Sequence, residues 1–177
     1  MIEDLGKLLG LIRVGSRSKK RSLALLPIAN SVFESFDSYF KENYIKDHID
    51  IPNYLRTPRM HETELLSILH NFTTNSIKAL KKVQVNERRI GLKAFEQNKI
   101  IYIWFLDTGI GLNKDLWEKA FEPFESYSEP DLELGAGTGL GLNLVRDIVR
   151  SYNGDVRFTD APLGWKTCIE VAFPRGE

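Results

Sequence analysis

A single cysteine, Cys168, stands in a chain of 177 residues. That rules out an intrachain disulfide and a zinc site built on several thiolates. Neither sign of charge is in excess, since Lys and Arg total 24 and Asp and Glu total 24. A nucleic-acid binder would carry a surplus of positive charge, so that class is set aside. Long hydrophobic runs are missing as well. The longest, Ile100 to Leu106, falls far short of a membrane span, and no membrane insertion of this segment is expected. The opening stretch MIEDLGKLLGLIRVGSRSKKR places acids early and bases late. A signal peptide has the opposite order, so the expected setting is the cytoplasm. No internal repeat and no low-complexity block is visible.

What is present suits one soluble globular domain. Hydrophobic residues make up 42% and charged residues 27%, which argues against a wholly disordered chain. Residues 2–13 read as a short amphipathic helix through Leu5, Leu8, Leu9 and Ile12, followed by a basic linker at 15–21. Leu23 to Leu25 suggests a strand, Pro27 a helix start, and Ile28 to Phe40 one helix. A second strand is expected near His48–Ile51, with 52–60 as loop. A long helix is expected over Glu62–Lys82 and two strands over Arg89–Phe95 and Lys99–Asp107, turned at Gln97-Asn98. A polar stretch from Gly109 to Thr138 follows, with a short helix near Lys114–Lys119. The last elements are a helix over Leu140–Tyr152, a turn at Asn153-Gly154, and strands at Val156–Phe158 and Thr167–Phe173. The class is α+β, a sheet with helices packed on one face.

Three segments carry chemistry. On the helical wheel of 62–82, with Asn71 at zero, Asn75 lies at about 40° and Lys78 at about −20°. Leu65, Ile68, Leu69, Phe72, Ala79 and Val83 occupy a stripe between roughly 60° and 160°. Beside the apolar stripe therefore runs a row of two amides and an ammonium, suited to a hard cation and phosphate oxygens. Asp107-Thr-Gly109-Ile-Gly111-Leu112 ends a strongly apolar strand. There a carboxylate can accept from an amino group, while the glycines admit a flat ligand close to the backbone. Gly135-Ala-Gly137-Thr138-Gly139-Leu140-Gly141-Leu142 opens a helix, where free N–H groups and the helix dipole favour an anion. Neither a dinucleotide-binding G-x-G-x-x-G nor a P-loop fits this run. Each segment alone has an ordinary reading: a solvated helix face, a strand-ending turn, a flexible linker.

Their order resembles the Bergerat-fold, or GHKL, ATP-binding domains of histidine kinases, type II topoisomerases, Hsp90 chaperones and mismatch-repair ATPases. The catalytic domain of a sensor histidine kinase is the nearest likeness. HNFTTNSIK at 70–78 is similar to the N box, DTGIGL at 107–112 to the G1 box, FEPF at 121–124 to the F box and GAGTGLGL at 135–142 to the G2 box. GWKTCIEVAFP at 164–174 resembles the closing strand, and the likeness covers roughly residues 22–174. It implies a two-layer α/β sandwich with a mixed sheet and a mobile ATP lid over 112–138. Residues 1–21 would be a stub and linker from a preceding dimerisation segment, and 22–177 the catalytic domain.

The resemblance also implies roles. Asn75 would ligate Mg²⁺, Asn71 would lie near the same metal, and Lys78 would meet phosphate oxygens. Asp107 would accept from the adenine amine together with Thr167. Gly109, Gly111, Leu112 and Phe124 would border the nucleotide, and Gly137, Thr138, Gly139, Leu140 and Gly141 would cradle its phosphates. Hydrolytic relatives place a Glu where this chain has Asn71. An amide cannot take a proton from water, which favours transfer over hydrolysis. The implied activity is transfer of the ATP γ-phosphoryl group to a histidine outside this segment, in a homodimeric parent that signals to a response regulator. The alternatives are an autonomous ATPase or serine-kinase switch of this fold, and a non-catalytic nucleotide-sensing module. Two departures stand out: Ala79 replaces an aromatic after the lysine, and Lys166 replaces a glycine before Thr167. His61 lacks the proline of an acceptor motif, His70 is expected on a helix face, and Cys168 is expected in the core.

Overall fold

Apolar residues alternate along the long strands, and the observed registers bring them onto one face. The computed structural model describes residues 19–123 and 141–175. Its strands are β1 (Arg21–Ala24), β2 (Lys46–Asp50), β3 (Arg56–Met60), β4 (Arg89–Gln97), β5 (Ile100–Asp107), β6 (Asp155–Thr159) and β7 (Thr167–Pro174). The helices are α1 (Leu25–Ser35), α2 (Asp37–Glu42), α3 (Glu62–Leu80) and α4 (Gly141–Ser151), with 3₁₀ turns at Val85–Glu87, Lys114–Leu116 and Lys119–Phe121. Five strands form one sheet in the order β2-β4-β5-β7-β6, and β1 and β3 form a separate pair. The β2–β4 pair is parallel and the other pairs of the large sheet are antiparallel, so the sheet is mixed.

Pairing of Leu92 with Phe105 and of Phe105 with Ile169 puts these residues on the face covered by the helices. Ile90, Ala94, Ile101, Ile103, Val171 and Phe173 share that face and are buried with Val156 of the neighbouring β6. Onto it α3 lays Leu65, Ile68, Leu69 and Phe72, while α4 adds Val145 and Val149. The Phe72 and Phe105 rings meet with centroids 4.0 Å apart, the central helix-to-sheet contact. Glu62 and Glu64 in the first turn of α3 suit its dipole. The expected α+β layering is therefore what forms.

Several boundaries differ from the sequence expectation, each for a local reason. The helix expected to run from Ile28 to Phe40 is divided at Phe36, whose ψ of 1° breaks the helical run. Phe36 then stacks on Phe40 at 5.9 Å, so the break folds α2 back onto the same aromatic cluster. Residues 56–60, expected as loop, form β3. Pro58 lacks a ladder donor and is tolerated because β3 pairs only with β1, and the ladder bulges there between Ser22 and Ala24. The Thr57 hydroxyl accepts from Leu23 N at 3.1 Å in place of a backbone oxygen. The β4–β5 turn is one residue later than expected, at Asn98 and Lys99, both with positive φ as a two-residue hairpin requires. At the α4–β6 turn the left-handed residue is Asn153. Gly154 answers close approach, since a Cβ there would lie 2.7 Å from Ala172 O.

Tyr152 closes the far end of the helix layer. Its hydroxyl donates to the Glu64 carboxylate and accepts from His61 N at 3.2 Å. The Lys20 ammonium lies 4.4 Å from its ring centroid. Burial, reinforced by Glu64, pushes the phenol up to about 12, so it stays a donor throughout the physiological range. Tyr152→Phe leaves Glu64 without this partner and should lower stability by about 1–2 kcal/mol, read as a shifted urea midpoint with an unchanged slope.

Candidate functional site

The wheel stripe of α3 and the acidic end of β5 meet where β7 begins. Asp107 is the last residue of β5 and pairs with Thr167, the first of β7. It faces the helix layer and is 4% exposed. A carboxylate so buried needs donors, and several surround it. Gly109 N donates to Oδ1 at 2.8 Å and the Ser76 hydroxyl donates to Oδ2 at 3.1 Å. The Thr167 side chain is also hydrogen-bonded to it. Burial holds the carboxyl above the usual range, and the bonds from Gly109, Thr167 and Ser76 pull it partly back.

The G1 turn packs directly on α3. A Cβ at Gly109 would fall 2.6 Å from Ala79 Cβ and 2.9 Å from the Ala79 carbonyl carbon. Small residues at both positions let turn and helix touch, which gives Ala79 a structural reason. Gly111 has φ +72°, the left-handed region open to glycine. Leu112 is half-buried and its carbonyl accepts from Trp117 Nε1 at 3.1 Å.

One turn back along α3, Asn71 meets α4. Its Nδ2 donates to the Ser67 carbonyl at 2.8 Å. Its Oδ1 is thereby turned toward Gly141, where a Cβ would lie only 2.7 Å away. Asn75 and Lys78 are half-buried on the same stripe. Thus Asn71, Asn75, Lys78, Asp107, Gly109, Gly111, Leu112, Gly141 and Thr167 lie on elements that pack together. Phe124, Gly137, Thr138, Gly139 and Leu140 lie outside the described residues. Of the F box, Phe121 is buried, with the Arg146 guanidinium 4.4 Å from its ring centroid. His70 faces Phe36 at 5.1 Å, away from the stripe, and burial lowers its basicity. Cys168 is buried and its thiol is pushed up to about 12, an inert core group.

Ser76 escaped the sequence reading. Its wheel position, about 140° from Asn71, lies inside the apolar stripe. A hydroxyl there must find a buried partner, and that was the available signal.

No three His, Cys, Asp or Glu side chains gather into a metal cage among the described residues. A cation here would be held by amide oxygens and by phosphates of a ligand, the few-ligand arrangement that suits Mg²⁺. The Oδ1 of Asn71, turned toward the start of α4 and not used in the bond to Ser67, fits that role.

The chain matches the model of the histidine kinase-, DNA gyrase B- and HSP90-like ATPases over residues 60–177. It belongs to that family. Among curated relatives, it is 25% identical to the sensor histidine kinase WalK of Bacillus subtilis over 137 residues, covering 77% of this chain and 22% of WalK. It is 29% identical to the sensor protein TdiS of Thauera aromatica over 129 residues, covering 72% and 22%. The chain thus spans 22% of the length of each of these two relatives. The nucleotide-free catalytic domain of histidine kinase ThkA superposes with a TM-score of 0.74 at 19% identity, covering 89% of this chain and 97% of that one. Full-length ShkA, solved in complex with AMPPNP, gives 0.73 at 22% identity, covering 97% and 36%. These likenesses establish the histidine kinase catalytic-domain fold. Among the described residues, no helix is long and apolar enough to cross a membrane.

For a member of this ATPase family, the raised Asp107 carboxyl has two measurable consequences. The unfolded chain loses this proton in the ordinary carboxylate range, and the folded chain holds it to higher pH. Ionised Asp107 therefore costs stability, increasingly as pH rises through its folded value. Asp107→Asn should melt higher than the parent at neutral pH in calorimetry while binding nucleotide more weakly. In the parent, ADP affinity should fall on acidification at a higher pH than an exposed carboxylate would dictate. Ser76→Ala removes a bond that favours the ionised form and should move that fall to higher pH still.

Proposed function

We propose that this chain is the ATP-binding catalytic domain of a sensor histidine kinase and delivers the γ-phosphoryl group of Mg-ATP to a histidine outside these residues. One observation carries the reading: a buried, hydrogen-bonded carboxylate stands beside a helix that presents two amides and a lysine in a row. Asp107, fixed by Ser76, Gly109 and Thr167, accepts from the exocyclic amine of adenine. Gly109, Gly111 and Leu112 border the base. Asn75 and Asn71 offer neutral oxygens to Mg²⁺, Lys78 meets phosphate oxygens, and Gly141 begins the helix that faces them. Magnesium, when bound, offsets triphosphate charge.

In the proposed reaction a ring nitrogen of the acceptor histidine bonds to the γ-phosphorus. The bond to the β,γ-bridging oxygen breaks, and ADP leaves with that electron pair. The nucleophile is an imidazole, so no base is needed to activate water, and Asn71 suits this. The domain's work is positioning and charge neutralisation. The segment before β1 is read as the end of a preceding dimerisation segment; the domain begins by Arg21, one residue earlier than expected, since Arg21 already pairs with Met60 in β1. A histidine-bearing dimerisation domain, in a homodimeric parent, and a response regulator are the proposed partners, on the cytoplasmic side. ThkA, a structural neighbour, has been solved in complex with the response regulator TrrA.

Radiolabel from γ-labelled ATP should pass to a supplied dimerisation domain and remain there through alkali but not acid, as phosphohistidine does. Turnover near about 10 s⁻¹ without any acceptor would instead mark an autonomous ATPase. Nucleotide binding with no transfer would mark a sensing module. Asn75→Ala should abolish the Mg²⁺-dependent part of ATP affinity in calorimetry. Asp107→Asn should weaken adenine-nucleotide binding by about ten- to a hundredfold, the worth of a buried charge-assisted hydrogen bond.

A further inference from the structure

Behind the strand ends that carry Asp107 and Thr167, on the sheet face away from the helices, lies a cleft of about 620 Å³. Lys46, Arg89 and Lys166 line it together with Trp165, Thr108 and Glu87. None of the three cations pairs with a carboxylate among the described residues. The lining therefore holds three positive charges against one negative.

The aromatic wall is built in. Ile90 and Leu92 of β4 are buried in the core, so Gly91 between them faces the other way. A Cβ at Gly91 would fall 2.6 Å from Cη2 of Trp165. The strand carries its glycine where the indole lands, at a position where glycine otherwise weakens a strand. The Arg89 guanidinium lies 5.3 Å from the indole centroid and donates to the Gly164 carbonyl.

The same backbone serves both sides. Thr108 N donates to Arg89 O at 3.1 Å, the Thr108 hydroxyl accepts from Arg89 N at 2.8 Å, and it donates to Glu87 O. Lys166 N donates to Asp107 O at 2.9 Å. Hydrogen bonds thus join the cleft wall to the base-recognising turn.

We propose that this cleft binds a small anion carried on a planar ring, an aryl phosphate or similar phosphorylated aromatic, and that its occupancy is coupled to nucleotide binding. The anion meets Lys46, Arg89 and Lys166, and the ring lies against Trp165. The coupling rests on the nucleotide reading above; the binding does not.

Phenyl phosphate is the probe, with indole emission as the readout. The parent should show a saturable change that is lost in Trp165→Phe, which keeps Trp104 and Trp117. Lys46→Glu should weaken binding about tenfold, as loss and reversal of one contacting charge predicts. Inorganic phosphate, without the ring, and benzyl alcohol, without the charge, should each bind at least about tenfold more weakly. Saturating ADP should change phenyl phosphate affinity, and phenyl phosphate should change ADP affinity by the same factor. A titration that leaves Trp165 emission unmoved, equal binding of inorganic phosphate, or an unaffected Lys46→Glu variant would each overturn the site. ADP that binds without altering phenyl phosphate affinity would overturn the coupling. Failure of ADP to bind at all would sink the nucleotide reading, with the aryl phosphate arm still decided by Trp165.

Discussion

A carboxylate taken out of water is the constraint around which this fold closes. Asp107 is nearly inaccessible, and an isolated buried charge would neutralise itself or unfold its surroundings. Its donors come from separate elements: Ser76 from α3, Gly109 N from the turn after β5, and Thr167 from β7. Helix, turn and strand must all be in register for the group to be tolerated. A slip of one residue in the β5–β7 pairing would send Asp107 to the opposite face and strip it of Ser76. The apolar contacts set the layers together, and the polar cluster selects one arrangement of them. A buried carboxylate of this kind costs stability when ionised, and the proposed recognition of the base would offset that cost in function.

Much of this was legible in the chain, because period and chemistry agreed. The row Asn71, Asn75, Lys78 beside Leu65, Ile68, Leu69 and Phe72 defined both the helix and its buried face, and α3 forms with those residues turned inward. The apolar run Ile100–Leu106 ending in Asp107 defined a buried strand and the carboxylate that ends it. What escaped depends on pairing across long separations. β3 falls within the stretch 52–60 expected as loop, and only the bulged pairing with β1 makes room for Pro58 in a strand. The division of the first helix at Phe36 follows from the aromatic cluster around Phe40, which no local propensity encodes. Ser76 was visible as a hydroxyl among apolar neighbours, but its partner lies 31 residues away. Gly91 lies inside the expected strand Arg89–Phe95, and nothing local to it marks the Trp165 ring that sits against it from 74 residues away.

The end of the sheet presents a polar group on each of its two faces. Toward the helices, Asp107 and Thr167 look into the proposed nucleotide side; away from them, Trp165, Arg89 and Lys46 shape a basic cleft. The wall between is a single layer of backbone held by Thr108 and by the Lys166–Asp107 bond. Packed backbone of this kind transmits displacement poorly as continuous bending but well as a change between discrete hydrogen-bonded arrangements. A ligand that fixes Arg89 or Lys166 acts on groups directly bonded to the turn that would read the base. No long relay is required, since the two sides share residues.

Asn71 shows how local structure selects among chemistries that the fold permits. Its amide nitrogen donates to the Ser67 carbonyl one helical turn earlier. A carboxylate in this place could not donate; it would set an anion against that carbonyl and lose its anchor. The bond turns the amide oxygen toward Gly141, where a side chain would leave no space. Helix α3 thus holds residue 71 as an oriented, neutral oxygen that does not take up protons near neutral pH. A residue so held can help to position a cation or a phosphate, but it cannot draw a proton from water. The proposed transfer, as against hydrolysis, thus has a counterpart in the hydrogen bonding of the helix itself.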